Sequence, residues 1–322
     1  MLTMDMVYDA KNVLKGVTRV TPLFEAQKIG DGIYLKSENL QLTGSFKMRG
    51  AYYKINSLTP EEKAKSVITC SAGNHAQGVA LSAKMNNIKA YICMPAGAPL
   101  AKVNATKTYG AEVILVPGVY DDAYARALEL SAQYGYTIAH PFNDERVLAG
   151  QGTIGLEILE QLPDVDQVVV PIGGGGLISG IAFAIKSLKP ECKIIGVQSE
   201  HSPSMYISVK NGELTEVPTT PTIADGIIVK KPVDLTFHFC QKYVDEIVIV
   251  SDDEIMDAMF KMIETQKTIP EGSGAAPVAA IMSGKIDTAN KKTVCVVSGG
   301  NIDSSRLIEV MTRGIKKREE EK

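Results

Sequence analysis

Tryptophan is absent, and all aromatic residues together make up only 6% of the 322-residue chain. Proteins that hold single-stranded nucleic acid need aromatic platforms for the bases, and little is available here to build one. A basic excess is missing too. The 34 Lys and Arg stand against 37 Asp and Glu, a net charge of −3, whereas nucleic acid requires a positive field. No apolar run approaches the roughly 20 residues that cross a bilayer. The longest, at residues 167–173 and 293–298, have strand length. The N-terminus carries acidic residues early and lacks the apolar core of a secretory leader. Nucleic-acid and membrane partners are therefore not expected, and a cytoplasmic location is. Cysteine is sparse. Cys70, Cys93, Cys192, Cys240 and Cys295 form no Cys-x-x-Cys pair, and several lie inside apolar runs. They read as reduced, buried thiols rather than as disulfides or a zinc site.

What is present is an ordinary soluble balance, 45% hydrophobic and 22% charged. The length suits one large domain or about two smaller ones. Short β-branched runs at residues 33–36, 67–70, 90–94, 113–116, 136–140, 167–172, 193–198, 246–250 and 293–297 read as strands. Amphipathic stretches at 47–58, 75–85, 100–109, 121–134, 147–161, 177–188, 252–264 and 304–317 read as helices. Strands separated by helices of this length predict an α/β fold of mostly parallel sheets flanked by helices. Residues 51–144 form one compact unit in this reading. Residues 1–50 and 145–322 combine into a second, larger one, so the two domains are interleaved.

Four places could carry chemistry. The first is a buried strand, then Gly173, Gly174, Gly175 and Gly176, then an apolar helix beginning near Leu177. Four glycines in a row lose backbone entropy and contribute no packing. They make sense where backbone N–H groups wrap an anion at a helix start. No Gly-Lys-Ser/Thr follows, so this is not a nucleotide P-loop, and the spacing fits the dinucleotide fingerprint poorly. A phosphorylated cofactor is the expected ligand. The second is Lys47, between Phe46 and Met48 at the start of a helix. A helix N-terminus disfavours an ammonium ion and lowers its pKa, and a neutral amine is what Schiff-base chemistry needs. The third is the segment 71–78, SAGNHAQG, after a strand. Its donors suit a carboxylate, and His75 reads equally as a general base or as a locally bonded helix-start residue. The fourth is SGGN at 298–301, where Ser298 is the first polar group at a sheet's carboxyl edge.

Seven segments stand in order: ENLQLTGSFKMRGA at 38–51, SAGNHAQG at 71–78, AGQGTIGLEI at 149–158, PIGGGGLISG at 171–180, TIADG at 222–226, EGSGA at 271–275 and SGGNID at 298–303. In these the chain resembles the serine/threonine dehydratase and serine racemase family of fold type II pyridoxal-phosphate enzymes. Its likeness is greatest to the catabolic threonine dehydratases, or threonine ammonia-lyases. The resemblance covers nearly the whole chain and implies a tryptophan synthase β-like fold with pyridoxal 5′-phosphate as cofactor. It implies that Lys47 holds the cofactor as a Schiff base and serves as the base at the substrate Cα, and that Phe46 packs on the pyridine ring. Asn74 would bond the ring's 3′ oxygen. Gly173, Gly174, Gly175, Gly176 and Leu177 would bind the phosphate, and Ser298 would face the pyridine nitrogen. Ser71, Ala72, Asn74 and His75 would cradle the substrate carboxylate, and Gly226 and Glu271 would line the pocket.

The reaction implied is deamination of L-threonine to 2-oxobutanoate and ammonia, with L-serine giving pyruvate as a lesser activity. A serine or aspartate racemase of the same fold is the alternative. Racemases of this group resemble the chain less at Ala72, where they carry Ser, and around Phe142. The positions matching their divalent-metal ligands are Gln198 and Ser204, neither of them an acid, so no metal ion is expected; Glu200 leaves a weaker cation site open. A non-catalytic amino-acid or nucleotide sensor is the alternative from another class, and the retained Lys47 argues against it. By resemblance the expected assembly is a homodimer or homotetramer, with AMP as activator in some members. No C-terminal regulatory domain, and no feedback by isoleucine, is expected.

Overall fold

Val67–Cys70 and Gln167–Pro171 have every residue buried, the pattern of strands covered on both faces in parallel sheets. The computed structural model describes residues 1–98 and 100–320. Its strands are β1 (Leu23–Glu25), β2 (Ile33–Lys36), β3 (Val67–Cys70), β4 (Ala90–Pro95), β5 (Glu112–Val116), β6 (Thr137–Ile138), β7 (Gln167–Pro171), β8 (Lys193–Ser199), β9 (Glu246–Val250) and β10 (Thr293–Val296). They form a six-stranded sheet in the order β1-β2-β10-β7-β8-β9 and a four-stranded sheet in the order β5-β4-β3-β6. All pairings are parallel except β1 with β2. No helix among the described residues is long and apolar enough to cross a membrane.

Alternation places neighbouring residues of one strand in different layers. Val168 and Val170 pack with the helices Glu145–Gln161 and Gly176–Leu188. Val169 faces the other way, onto the helices Asp252–Lys261 and Gly272–Met282. The large sheet reverses its order at β7, with β8 and β9 on one side and β10 and β2 on the other. The loops leaving β7 and β10 therefore diverge, and crevices of this kind are where α/β proteins bind ligands.

The helix Lys47–Asn56 is brought to that crevice by close crossing. A Cβ on Gly150 would stand 2.6 Å from the Gly50 Cα and 2.8 Å from the Arg49 carbonyl. Only glycine at this crossing lets the two helix backbones come so near.

The sequence expectation lacked the helices Met4–Leu14, Pro60–Ala64, Ser204–Asn211 and Asp234–Tyr243, and the strand expected at 136–140 is only Thr137–Ile138. Two further elements also differ from it. β1 is an antiparallel edge strand of three residues, too short to show a pattern. Gly272–Met282 is a helix despite two glycines and Pro277 inside it. Its buried alanines supply the packing that overrides propensity.

Candidate active site

The turn before the helix Lys47–Asn56 is stitched to the end of β10. Ser45 pairs with Gly299 as an isolated bridge, and the Phe46 N–H donates to the Ser298 carbonyl at 3.0 Å. Lys47 thus starts its helix beside Ser298, which is 3% exposed. The Lys47 amine donates to the Pro141 carbonyl at 3.3 Å and lies 5.0 Å from the centre of the Phe46 ring. Among the described residues no carboxylate forms an ion pair with it. Burial pulls its pKa down to about 8, against an opposing pull from Glu271. Desolvation of the buried amine is the largest cause of the low value.

The four glycines form the turn between β7 and the helix Gly176–Leu188. Gly175 caps that helix with φ +87°, a left-handed conformation that favours glycine. A Cβ there would also stand 2.8 Å from the Thr236 side chain. Phe142 covers the turn: a Cβ on Gly174 would run into its ring, and one on Gly176 would stand 2.7 Å from its Cβ. Among the described residues no acceptor meets the N–H groups of Gly174, Gly175, Gly176 and Leu177. These donors at a helix start favour an anion.

Asn74, Glu271, Gly226 and Gly299 converge. The Asn74 amide donates to Glu271 Oε1 at 2.7 Å, and Asn301 donates to Asn74 Oδ1 at 2.7 Å. Gly299 lies so close to Glu271 that a Cβ would strike the carboxylate. Gly226 lies so close to Ser273 that a Cβ would stand 2.8 Å from the hydroxyl. Burial raises the Glu271 carboxyl to about 7, and the charge of Asp225 adds to the rise. Ser71 turns its hydroxyl to the Gly73 N–H at 3.2 Å. Ala72 packs at the edge of the small sheet's core. His75 is 4% exposed and donates from Nε2 to the Ala139 carbonyl at 2.8 Å. Burial first, and the Lys47 charge second, hold its pKa down at about 3. So engaged, the ring acts as a donor within the chain, which is the bonding that the second reading of His75 expects.

At the candidate metal positions, Gln198 accepts from the Tyr206 N–H at 2.7 Å and donates to the Ile172 carbonyl at 3.3 Å. Ser204 donates to the Val229 carbonyl at 2.6 Å. These polar groups are already used within the chain. No cluster of His, Cys, Asp and Glu suited to a metal ion occurs among the described residues.

Sequence reasoning missed a buried ion cluster two residues from Lys47. Arg49 forks onto Glu38, with both contacts at 2.8 Å, and onto Glu157 at 2.6 and 3.0 Å. Lys36 reaches Glu157 at 2.6 Å and the Thr21 carbonyl at 2.7 Å. Burial pushes Glu38 upward, but the guanidinium outweighs it and keeps the carboxyl below its ordinary value. Two cations and two anions balance, and the cluster locks the Lys47 helix to β2 and to the helix Glu145–Gln161. It also missed the bonding of Asn301 and of residues 139–141. Asn301 lies within SGGNID, so a signal existed; the residues around Phe142 counted only as a difference from racemases, not as a cover over the glycine turn.

Known proteins resemble the chain throughout. The family model "Pyridoxal-phosphate dependent enzyme" matches residues 14–299. An L-threonine ammonia-lyase of Thermotoga maritima is 51% identical over 321 residues, 98% of this chain and 80% of that protein. The solved processed form of threonine deaminase isoform 2 from Solanum lycopersicum superposes with a TM-score of 0.91 at 39% identity, covering 96% of this chain and 87% of that one. Maize serine racemase also gives 0.91, at 34% identity, with 99% of both chains covered. The site fits the cofactor that the family name states. A buried amine without an acid partner suits an aldehyde, a turn of free N–H donors without side chains suits a phosphate, and Phe46 offers a ring face beside the amine. On this match the chain belongs to the family of pyridoxal-phosphate-dependent enzymes.

Proposed function

We propose that this chain is an L-threonine ammonia-lyase, which converts L-threonine to 2-oxobutanoate and ammonia and takes L-serine to pyruvate as a lesser activity. The single observation that carries the reading is the 51% identity to an L-threonine ammonia-lyase over 98% of the chain. Pyridoxal phosphate, when bound, supplies a carbonyl that condenses with amines and a ring that accepts the electron pair left at Cα. The chain's own groups do the rest. Lys47 would take the Cα proton with an amine whose pKa burial lowers to about 8. The glycine turn would hold the phosphate, Phe46 would support the ring, and Asn74 would bond its 3′ oxygen. Ser298, a neutral partner for the pyridine nitrogen, leaves that nitrogen less protonated than an acid would. A neutral residue at that position would favour loss of the β-hydroxyl. Backbone and side-chain donors of residues 71–75 receive the substrate carboxylate, with Gly226 and Glu271 along the wall. Overall the Cα–H and Cβ–O bonds break, water leaves and is taken up again, and ammonia departs.

Racemisation needs a proton delivered to the face of Cα opposite Lys47. Ala72 has none to give, and the Ser71 hydroxyl is turned to the Gly73 N–H. The likeness to serine racemase in fold therefore does not extend to this requirement.

The reading extends to a larger domain of residues 1–50 and 145–322 and a smaller one of residues 51–144. The division of strands between two sheets supports it. It also includes a homodimer or homotetramer, an AMP-type activator and a cytoplasmic location. Sedimentation of the holoenzyme with and without AMP tests the assembly. Incubation with L-threonine, L-serine and L-aspartate, followed by product analysis that includes enantiomers, tests the function. 2-Oxobutanoate from L-threonine is expected; D-amino acids as the main products would overturn the reading.

A further inference from the structure

We infer that His140 is a positioning residue that sets the Lys47 amine and the glycine turn together, by using its imidazole as the acceptor that closes the turn at residues 141–143. The inference rests on the proposed reaction only for its turnover readout. His140 Nδ1 accepts the Phe142 N–H at 3.2 Å and the Asn143 N–H at 2.8 Å. A side chain accepting from residues two and three positions on is the bonding of an Asx turn, made here by a ring. The Phe142 N–H and the Pro141 carbonyl belong to one planar trans peptide, so they point in opposite directions. Holding the N–H on His140 aims the carbonyl away from it, and that carbonyl is the acceptor for Lys47 Nζ at 3.3 Å.

The same turn seats Phe142. Its ring stands edge-on to His140, with centres 4.8 Å apart, and covers Gly174 and Gly176. One imidazole thus governs the acceptor for the amine and the cover over the phosphate turn. Upstream, the Ala139 carbonyl is fixed by Thr69 at 2.7 Å and by His75 at 2.8 Å, so the segment enters the turn already anchored. The accepting role requires a neutral ring. The groups facing His140 are Lys47, Asp144, His75 and the edge-on Tyr124 ring. Burial, then the Lys47 charge, hold its pKa at about 4, with Asp144 opposing.

The test compares wild type, His140→Leu and His140→Asn as holoenzymes. Leu removes the acceptor, while Asn restores one at the same register. For His140→Leu, pyridoxal phosphate should dissociate at least about 10-fold faster and kcat on L-threonine should fall about 10- to 100-fold, with KM within about 3-fold. His140→Asn should recover both to within about 5-fold of wild type. Wild-type release and kcat in His140→Leu overturn the inference, as does a His140→Asn that melts normally yet is as impaired as Leu. Where His140→Leu does not fold, release is compared in wild type and His140→Asn as pH falls toward 4. Acceleration in wild type alone supports the inference, and coincident profiles overturn it. A wild type that makes no 2-oxobutanoate, with faster release in His140→Leu, overturns the reaction and supports the positioning role.

Discussion

The Asn74 amide donates to Glu271 Oε1 across 2.7 Å, joining the start of the helix Asn74–Met85, which follows β3, to the start of the helix Gly272–Met282. One strand end of the small sheet is thereby tied to the neighbourhood of β10 in the large sheet, with Asn301 completing the chain of bonds.

The Glu271 carboxyl is raised by burial to about 7 in the folded chain. Between its ordinary value near 4.5 and about 7, the folded chain keeps a proton that the unfolded chain has lost. Stability from this group is therefore present below that window and is lost as pH rises through it, by up to about 3 kcal/mol. In the cofactor-free chain, Glu271→Gln keeps an oxygen for Asn74 and removes the titration. Its melting temperature should exceed that of wild type at pH 8, and the gap should shrink toward pH 5. A gap independent of pH would show that Glu271 is not the group responsible.

Gly174 has no room for a side chain under Phe142. Gly174→Asp adds bulk and a negative charge beside a bound phosphate, a repulsion of roughly 1 kcal/mol or more where screening is poor. Equilibrium dialysis should show cofactor affinity reduced at least about 10-fold, with activity recovered by excess pyridoxal phosphate. Unchanged affinity would leave the glycines a purely structural turn.

Arg49 is 1% exposed and pairs with two buried carboxylates, whose charge it balances together with Lys36. Arg49→Leu leaves Glu38 without a cation in contact and Glu157 with Lys36 alone, at a cost of about 3–5 kcal/mol. Arg49→Lys keeps the charge but loses the fork that grips both partners, so it should recover only part of the loss. Denaturant titration of the three proteins measures this. Equal stability of Arg49→Leu and wild type would mean that the cluster is dispensable.

In the proposed reaction the residue opposite Lys47 across Cα is Ala72, which carries no hydroxyl. Positioned proton transfer typically contributes about 10²–10⁴-fold, so elimination should far outrun racemisation. Chiral chromatography with L-serine should find pyruvate and only traces of D-serine. Ala72→Ser should raise the D-serine share. D-serine equal to pyruvate in wild type would reverse the assignment between lyase and racemase.

The central parallel strands were legible because burial on both faces writes continuous β-branched runs into the sequence. The glycine turn, Asn74 and Ser298 were legible because polar or small residues at strand ends break those runs. Pairing across the fold was not. Glu38 and Arg49 are 11 residues apart, and Glu157 lies 108 beyond Arg49; as letters they resemble solvated surface charges. His140 is equally silent, since its role depends on which way one peptide plane faces. The helix Gly272–Met282 was hidden because its glycines and proline suit tight packing rather than helix propensity.

The account turns on Lys47. With a pKa of about 8, about one amine in ten is neutral at pH 7, against fewer than about one in a thousand for an ordinary lysine. The decisive measurement is 2-oxobutanoate formed from L-threonine by purified wild type and Lys47→Ala, each saturated with pyridoxal phosphate. Wild type should turn over steadily, and Lys47→Ala should fall by at least about 10²-fold, since it lacks the positioned base. Undiminished keto-acid production by Lys47→Ala would contradict the account.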